Sequence, residues 1–223
     1  MDTKVPLLRN GEHLNQRTFH KRYEAAPEDF RAELVGGIVF LRTRRTRAHG
    51  ALLAKVGSWL CEYGDATPGT EGLLDVTVAL GPASELEPDA CLLHLPKCGG
   101  QTWEDEDGYI NGAPEWVGEV SDSTESIDRN RKKLDYEKAG VREYMVAALR
   151  TGQVFWYIRR RGKFKEMAPG SDGIFRSEVF PGLWLDPAAF LKRDGKRVLA
   201  VLHQGLASPE HATFVAKLKK AQG

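Results

Sequence analysis

Two carboxylates in this chain stand at the ends of short apolar runs, where they could act together. Asp89 follows Pro88 and heads the run Ala90 to Leu95 in "EPDACLLHL". Glu119 lies near the end of a second run, "EWVGEVS". Strand side chains alternate between faces, so Glu119 and Ser121 share one face and Val120 takes the other. If the two runs are neighbouring strands, Asp89 and Glu119 meet at one sheet edge. Two anionic carboxylates that close repel each other unless a cation lies between them. A hard divalent ion, Mg²⁺ or Mn²⁺, takes one or two carboxylates, waters and a phosphate oxygen, and can then activate a water against a phosphodiester. The plain alternative is that Pro88-Asp89 is a strand-entry turn.

The next segment, "STESIDRNRKKLDYEKAG", supplies a third component. Asp128, Lys132 and Tyr136 fall at i, i+4 and i+8, on one helix face. Tyr136 is expected against the sheet, with Lys132 pointing along the same face toward the strand ends. A lysine there orients the attacking water or stabilises negative charge in the transition state. A surface ion pair of Asp128 with Lys132, worth ~0.2–0.5 kcal/mol, is the competing reading, and for Asp128 it is the expected one. Cys91, His94 and Cys98 resemble zinc ligands in type. In a strand, however, Cys91 and His94 point to opposite faces, and no fourth ligand is close in sequence. With Cys61 the cysteines number three, an odd count that argues against a disulfide scaffold.

The elements that would position these groups follow from periodicity and turn residues. Residues 1–19 show no period and are expected as a loose arm. Phe30–Val35, Gly36-Gly37 and Ile38–Leu41 read as a hairpin. The stripe Leu52, Val56, Trp59 and Leu60 marks a helix from about Ala48, with Gly64 in the C-cap position. "GLLDVTVALG" and "EPDACLLHL" read as strands, and residues 96–114 as an exposed loop or long hairpin. "EWVGEVS" is a strand, followed by a helix from about Ser126 that Ser123 or Thr124 caps and Gly140 ends. "VREYMVAAL" reads as a buried strand and "QVFWYIRRRGKFKEMAP" as a second hairpin around Arg161-Gly162. "IFRSEVFPGLWLD" adds one strand, and the pattern is helical from Pro187 onward. The fold class is therefore α/β (α+β): one mixed β-sheet flanked by helices, with hairpins at both ends of the core. No Walker loop, GxGxxG, HExxH or GxSxG is present.

Composition narrows the partners little. Of 223 residues, 32 are Lys or Arg and 31 Asp or Glu, a formal net charge of +1, so overall charge favours no polyanion. Locally, Arg42 to His49 carries four arginines, suited either to phosphate recognition or to a solvated face. "RRRGK", Arg159 to Lys163, reads as a solvated hairpin tip. No apolar run approaches the roughly 20 residues of a membrane span, and the opening residues lack a signal-peptide core. A cytoplasmic protein is expected.

The order "PD … ExS … D-x-x-x-K-x-x-x-Y-x-x-x-G-V-x-E-Y" resembles the PD-(D/E)XK nuclease superfamily. More closely, the chain resembles the bacterial Uma-type family of restriction endonucleases. The matching pieces are Glu33-Leu34, Gly37, His49, Pro88-Asp89, Pro114, Glu119-Val120-Ser121, Ser123-Thr124, Asp128, Lys132, Tyr136, Gly140-Val141, Glu143-Tyr144 and the closing "FPGLWLD". The resemblance implies a restriction-endonuclease-like domain over 20–190, with an arm at 1–19 and a helical extension at 191–223. It implies an endonuclease acting on nucleic acid, DNA being expected, with Mg²⁺ or Mn²⁺ held by Asp89 and Glu119. Glu33 is then either a metal or water ligand or an ordinary exposed strand residue, and His49 either caps or packs the first helix, the expected role, or is a polar group at the site. Two positions depart from the family pattern. Ser121 occupies the usual motif-lysine position, which moves that role to Lys132, with Lys133 as fallback. Ser121-Asp122-Ser123-Thr124 replaces the usual SPST and adds a negative charge. Ser121 keeps open a catalytically inactive binding or protein-interaction module on the same fold. The family's frequent dimers, together with expected exposure of Trp156, Phe180 and Trp184, point to a homodimer.

Overall fold

The structure is a computed structural model that describes residues 5–42 and 44–222. Residues 1–4 of the expected arm, Thr43 in the arginine run and Gly223 lie outside the described residues. The opening segment is packed rather than loose. Helix α1 (Gln16–Glu24) starts at Asn15, whose side chain accepts the Thr18 N–H. Phe19 is fully buried and Leu8 nearly so. Ahead of it, Gly11, Glu12 and Leu14 exchange backbone hydrogen bonds with Gly37 and Val39.

The expected hairpin forms as β1 (Ala32–Val35) and β2 (Ile38–Leu41). Its two-residue turn holds Gly36 and Gly37 at φ +58° and +79°, a left-handed pair that glycine adopts without strain. Helix α2 (Arg47–Ala66) is capped by Thr46, whose hydroxyl accepts the His49 N–H. It buries the expected stripe and Tyr63, and it runs past Gly64 to end at Thr67. The apolar stretch after it is two strands, not one: β3 (Thr70–Leu74) and β4 (Val78–Gly81). Between them Asp75 sits at φ +54°, which ends the extended chain.

Strands β5 (Ser84–Leu86) and β6 (Ala90–His94) precede a short hairpin, β7 (Trp103–Glu104) and β8 (Ile110–Asn111). Then comes β9 (Trp116–Ser121). The helical segment after it is α3 (Glu125–Ile127), a π-turn over Asp128–Lys132, and α4 (Lys133–Ala139), closed by Gly140 at φ +106°. Strands β10 (Glu143–Ala148), β11 (Gln153–Arg160) and β12 (Lys163–Met167) follow. "IFRSEVFPGLWLD" contributes two short strands, β13 (Phe175–Arg176) and β14 (Trp184–Leu185), paired with each other. Helices α5 (Pro187–Leu191), α6 (Gly195–Leu206) and α7 (Pro209–Gln222) complete the chain.

The mixed α+β class holds, but the single expected sheet is two six-stranded sheets and the β13–β14 pair. The first sheet runs β2-β1-β5-β4-β8-β7 and the second β12-β11-β10-β9-β6-β3. In the second, β6 and β9 are antiparallel neighbours with Ala90 opposite Gly118. Strands β9 and β10 are parallel, and a parallel pair needs a crossover, here the segment carrying Asp128 and Lys132. One sheet face packs Ala90, Leu92, Trp116, Val120 and Trp156 against α2 and α6. The other packs Cys91, Val117, Tyr144 and Val146 against Tyr136. Cys91 and His94 do face opposite sides: Cys91 packs with Val117 and Tyr144, and His94 contacts Phe180 and Phe214. Of the three aromatics expected as a dimer surface, Trp156 and Phe180 are interior and fully buried, and Trp184 is half-buried. Among the described residues no helix is long and apolar enough to cross a membrane.

The approach of α6 to the chain entering β14 is a sharp packing constraint. A Cβ on Gly205 would collide with the Gly182 carbonyl and lie 2.8 Å from the Trp184 ring. Gly205→Ala is expected to destabilise by roughly 1–3 kcal/mol. On α2, Gly50 has nothing within 4 Å of a Cβ, so Gly50→Ala should stabilise by about 0.5–1 kcal/mol. Thermal melts of both variants check the packing, and an unchanged Gly205→Ala melting point would contradict it.

Candidate active site

The β6–β9 register sets the first carboxylate. Asp89 lies one residue before β6, and its Oδ2 accepts the Val120 N–H at 2.8 Å, so the side chain extends the ladder beyond the strand. His49 Nε2, on the first turn of α2, is 3.1 Å from the same oxygen. Oδ1 accepts from Arg45 at 3.1 Å, with Arg42 at 3.6 Å. Arg42 also reaches Glu87 at 2.6 Å.

Alternation along β9 turns Val120 into the core and Glu119 to the other side, as expected. Glu119 Oε1 accepts from Lys132 Nζ at 3.1 Å and from the Tyr136 hydroxyl at 2.9 Å. Lys132 Nζ also donates to Glu33 Oε1 at 2.9 Å, and Asp128 Oδ1 is 3.6 Å away. Glu33 comes from β1 in the other sheet, where the Glu87 N–H also holds its Oε1 at 2.9 Å. The second oxygens of Glu33 and Glu119 have no hydrogen-bond partner among the described residues.

Asp128 departs from the expected surface ion pair. It is not half of a surface pair but 2% exposed. Its Oδ2 accepts from Ser121 Oγ at 2.6 Å and Thr124 Oγ1 at 2.7 Å. Ser121, in the motif-lysine position, therefore holds Asp128. The π-turn carries Asp128 and Lys132 at its two ends, both buried; such widened turns recur at functional sites. Lys133, the fallback, lies over the Tyr157 ring at 3.9 Å and does not line the cleft. Glu33, Asp89, Glu119, Asp128, Lys132 and His49 line one cleft of about 440 Å³, with Arg42, Arg44 and Arg45 on its wall. Among the described residues no three His, Cys, Asp or Glu side chains form a metal cage.

The two carboxylates differ electrically. Burial pushes Glu119 up to about 8, with Asp128, Asp89 and Glu33 adding repulsion and Lys132 only partly offsetting it. Burial also works against charging Lys132, but Glu119, Glu33 and Asp128 outweigh it and hold the ammonium charged. One ammonium cannot neutralise three carboxylates, and of the three it is Glu119 whose protonated form burial and repulsion favour. Burial opposes charge on Asp89 too. There the His49 hydrogen bond and charge, the Val120 N–H and Lys132 prevail, so its carboxyl lies below the usual range. The expected carboxylate repulsion thus falls on Glu119 and not on Asp89. Sequence reasoning missed Arg42 and Arg45 as partners of Asp89. The arginine run was visible, but the acids it meets are distant in sequence.

Glu119 makes the metal-free protein's stability depend on pH. Its folded value lies above the unfolded one of about 4.3. The extra stability is complete below the unfolded value and is lost as pH rises to about 8. In EDTA, urea-unfolding free energy of the wild type should fall from about pH 5 to about pH 8 relative to Glu119→Gln. The relative slope should reach up to about 1.4 kcal/mol per pH unit. Parallel profiles would mean that Glu119 carries no proton in this range.

Comparison with known proteins gives a family and a fold. The family model Uma2, described as "Putative restriction endonuclease", matches residues 17–188. No curated protein matches the chain. Among solved structures, a "putative nuclease belonging to DUF820" from Anabaena variabilis superposes with a TM-score of 0.58 at 17% identity, covering 77% of this chain and 97% of that one. At that identity the likeness shows a shared fold. The family match spans most of the chain, and the chain belongs to the Uma2 family.

Proposed function

We propose that the protein is a divalent-metal-dependent endonuclease that hydrolyses phosphodiester bonds of nucleic acid, with DNA as the polymer. The observation that carries this is the convergence of Asp89, Glu119, Glu33 and Lys132 on one cleft from two sheets and a crossover helix. The donors suit a hard cation, since Asp89 Oδ1 faces the Arg45 and Arg42 guanidinium groups, of which Arg45 is the more exposed, and the second Glu119 oxygen is unpartnered among the described residues. Asp89 and Glu119 would hold Mg²⁺ or Mn²⁺, which when bound supplies a polarised water and neutralises phosphate charge.

The chain's own groups do the rest. Val120 N–H and His49 aim Asp89 into the cleft. Lys132, kept charged by its carboxylates, offers its ammonium to the attacking water or to the phosphate oxygen that gains charge. Glu33, with one oxygen fixed by Lys132 and the Glu87 N–H, presents the other to accept the water's proton. Ser121 and Thr124 act through Asp128, which backs Lys132. The Arg42–Arg45 wall suits phosphate approach. One site per chain cuts one strand, so the reading includes a homodimer on double-stranded DNA, open to check by light scattering. Ser121 in the motif-lysine position favours a second reading: an inactive nucleic-acid binder.

Asp89→Asn removes an anionic oxygen ligand and should abolish calorimetric Mn²⁺ binding. Cleavage of DNA should fall by roughly 100-fold or more. Because Asp89 is stabilised as an anion, this variant should also melt lower without metal, by about 1–3 kcal/mol of lost charged hydrogen bonding. Lys132→Gln should reduce cleavage similarly while retaining Mn²⁺ binding. Mn²⁺ binding by the wild type without cleavage of any DNA or RNA, single- or double-stranded, would move the conclusion to the inactive reading.

A further inference from the structure

Asp89 already has a cation beside it, and the geometry points to Arg45 as a displaceable counter-ion that competes with the metal and is tethered by Asp75. This rests on the metal-site reading above. Arg45 donates through both terminal nitrogens to the two oxygens of Asp75, and one of those nitrogens also reaches Asp89 Oδ1 at 3.1 Å. The guanidinium thus bridges a carboxylate at the cleft mouth and the candidate metal ligand.

The bridge is built into the chain path. Asp75 is the left-handed residue, φ +54°, at which the chain leaves β3 and crosses to the first sheet. Its N–H donates to the Asp89 carbonyl at 3.3 Å, which keeps the two acids side by side. A non-glycine residue in that conformation is uncommon, and Asp is among the types that tolerate it.

Of the two guanidiniums near Asp89, Arg45 is the one that can leave. The Arg42 side chain is 16% exposed and is anchored on Glu87 at 2.6 Å. The Arg45 side chain is 31% exposed, and its other partner, Asp75, is 43% exposed. A divalent ion on Asp89 Oδ1 would sit next to the Arg45 charge and repel it. Arg45 then gives up Asp89 and keeps Asp75, which stops it from being lost to solvent or from following the ion's ligand. The metal-free site is held in shape by a protein cation, and metal affinity is set by the exchange.

Manganese titration calorimetry of the full chain tests this, with thermal melts as a fold control. Arg45→Gln should tighten Mn²⁺ binding by roughly tenfold, the effect of removing a unit charge beside a divalent ion in a partly screened site. Arg45→Lys, which keeps the charge, should stay within about threefold of wild type and guards against a packing effect. Asp75→Asn should weaken binding in the wild-type background, by leaving Arg45 to Asp89 alone, and should have a smaller effect when combined with Arg45→Gln. Unchanged or weaker affinity in Arg45→Gln, or equal effects of Asp75→Asn in both backgrounds, overturns the exchange while leaving the metal site standing. Absence of Mn²⁺ binding by wild type overturns both.

Discussion

One ammonium enclosed by three carboxylates is the interaction on which the site depends. Lys132 meets Glu33 from one sheet, Glu119 from the other and Asp128 from its own helical segment. An exposed pair of this kind contributes little, about 0–1 kcal/mol. Buried charges are different: removing one partner of a buried pair leaves the others uncompensated and costs about 3–5 kcal/mol. The lysine therefore has a structural role wherever its chemistry lies. It fixes the first sheet against the second, and it holds two carboxylates of like charge at one cleft.

That arrangement asks for charge balance, and the protein meets it differently on each side. Around Glu119 the donors are Lys132 and Tyr136, and burial with three neighbouring acids raises its carboxyl to about 8. Around Asp89 the donors are His49, a backbone N–H, Arg45 and Arg42, and the carboxyl stays ionised. Two acids at one cleft are thus held in different protonation preferences by their surroundings. Such divergence between neighbouring acids is a mark of sites that move protons or bind cations. The π-turn serves the same end, since it buries both Asp128 and Lys132 toward β9.

Much of this was legible in the chain. Alternation in "EWVGEVS" placed Glu119 opposite to Val120, and Pro88 marked the strand entry that sets Asp89. The spacing of Asp128, Lys132 and Tyr136 put them on one face. What could not be read were contacts between groups far apart in sequence. Asp128 with Lys132 looks like a surface pair until Ser121, Glu33 and Glu119 close over it. "GLLDVTVALG" reads as one strand because apolar residues continue through it; the break comes from the left-handed backbone of Asp75, which residue type alone does not announce. The same break sends the chain into a second sheet, so the single expected sheet became two. Trp156 and Phe180 looked free because the elements that cover them, α2 and the C-terminal helices, assemble from both ends of the chain.

The most direct test of the central claim is a crystal of the protein soaked in Mn²⁺, with data collected for the anomalous signal of manganese. The account expects one strong peak in the cleft, ligated by an Asp89 oxygen and a Glu119 oxygen at about 2.0–2.2 Å, a distance typical of a small octahedral divalent ion. Lys132 should remain on Glu33. A cleft without manganese at a concentration that supports nucleic-acid cleavage, or manganese bound only at other carboxylates, would contradict it.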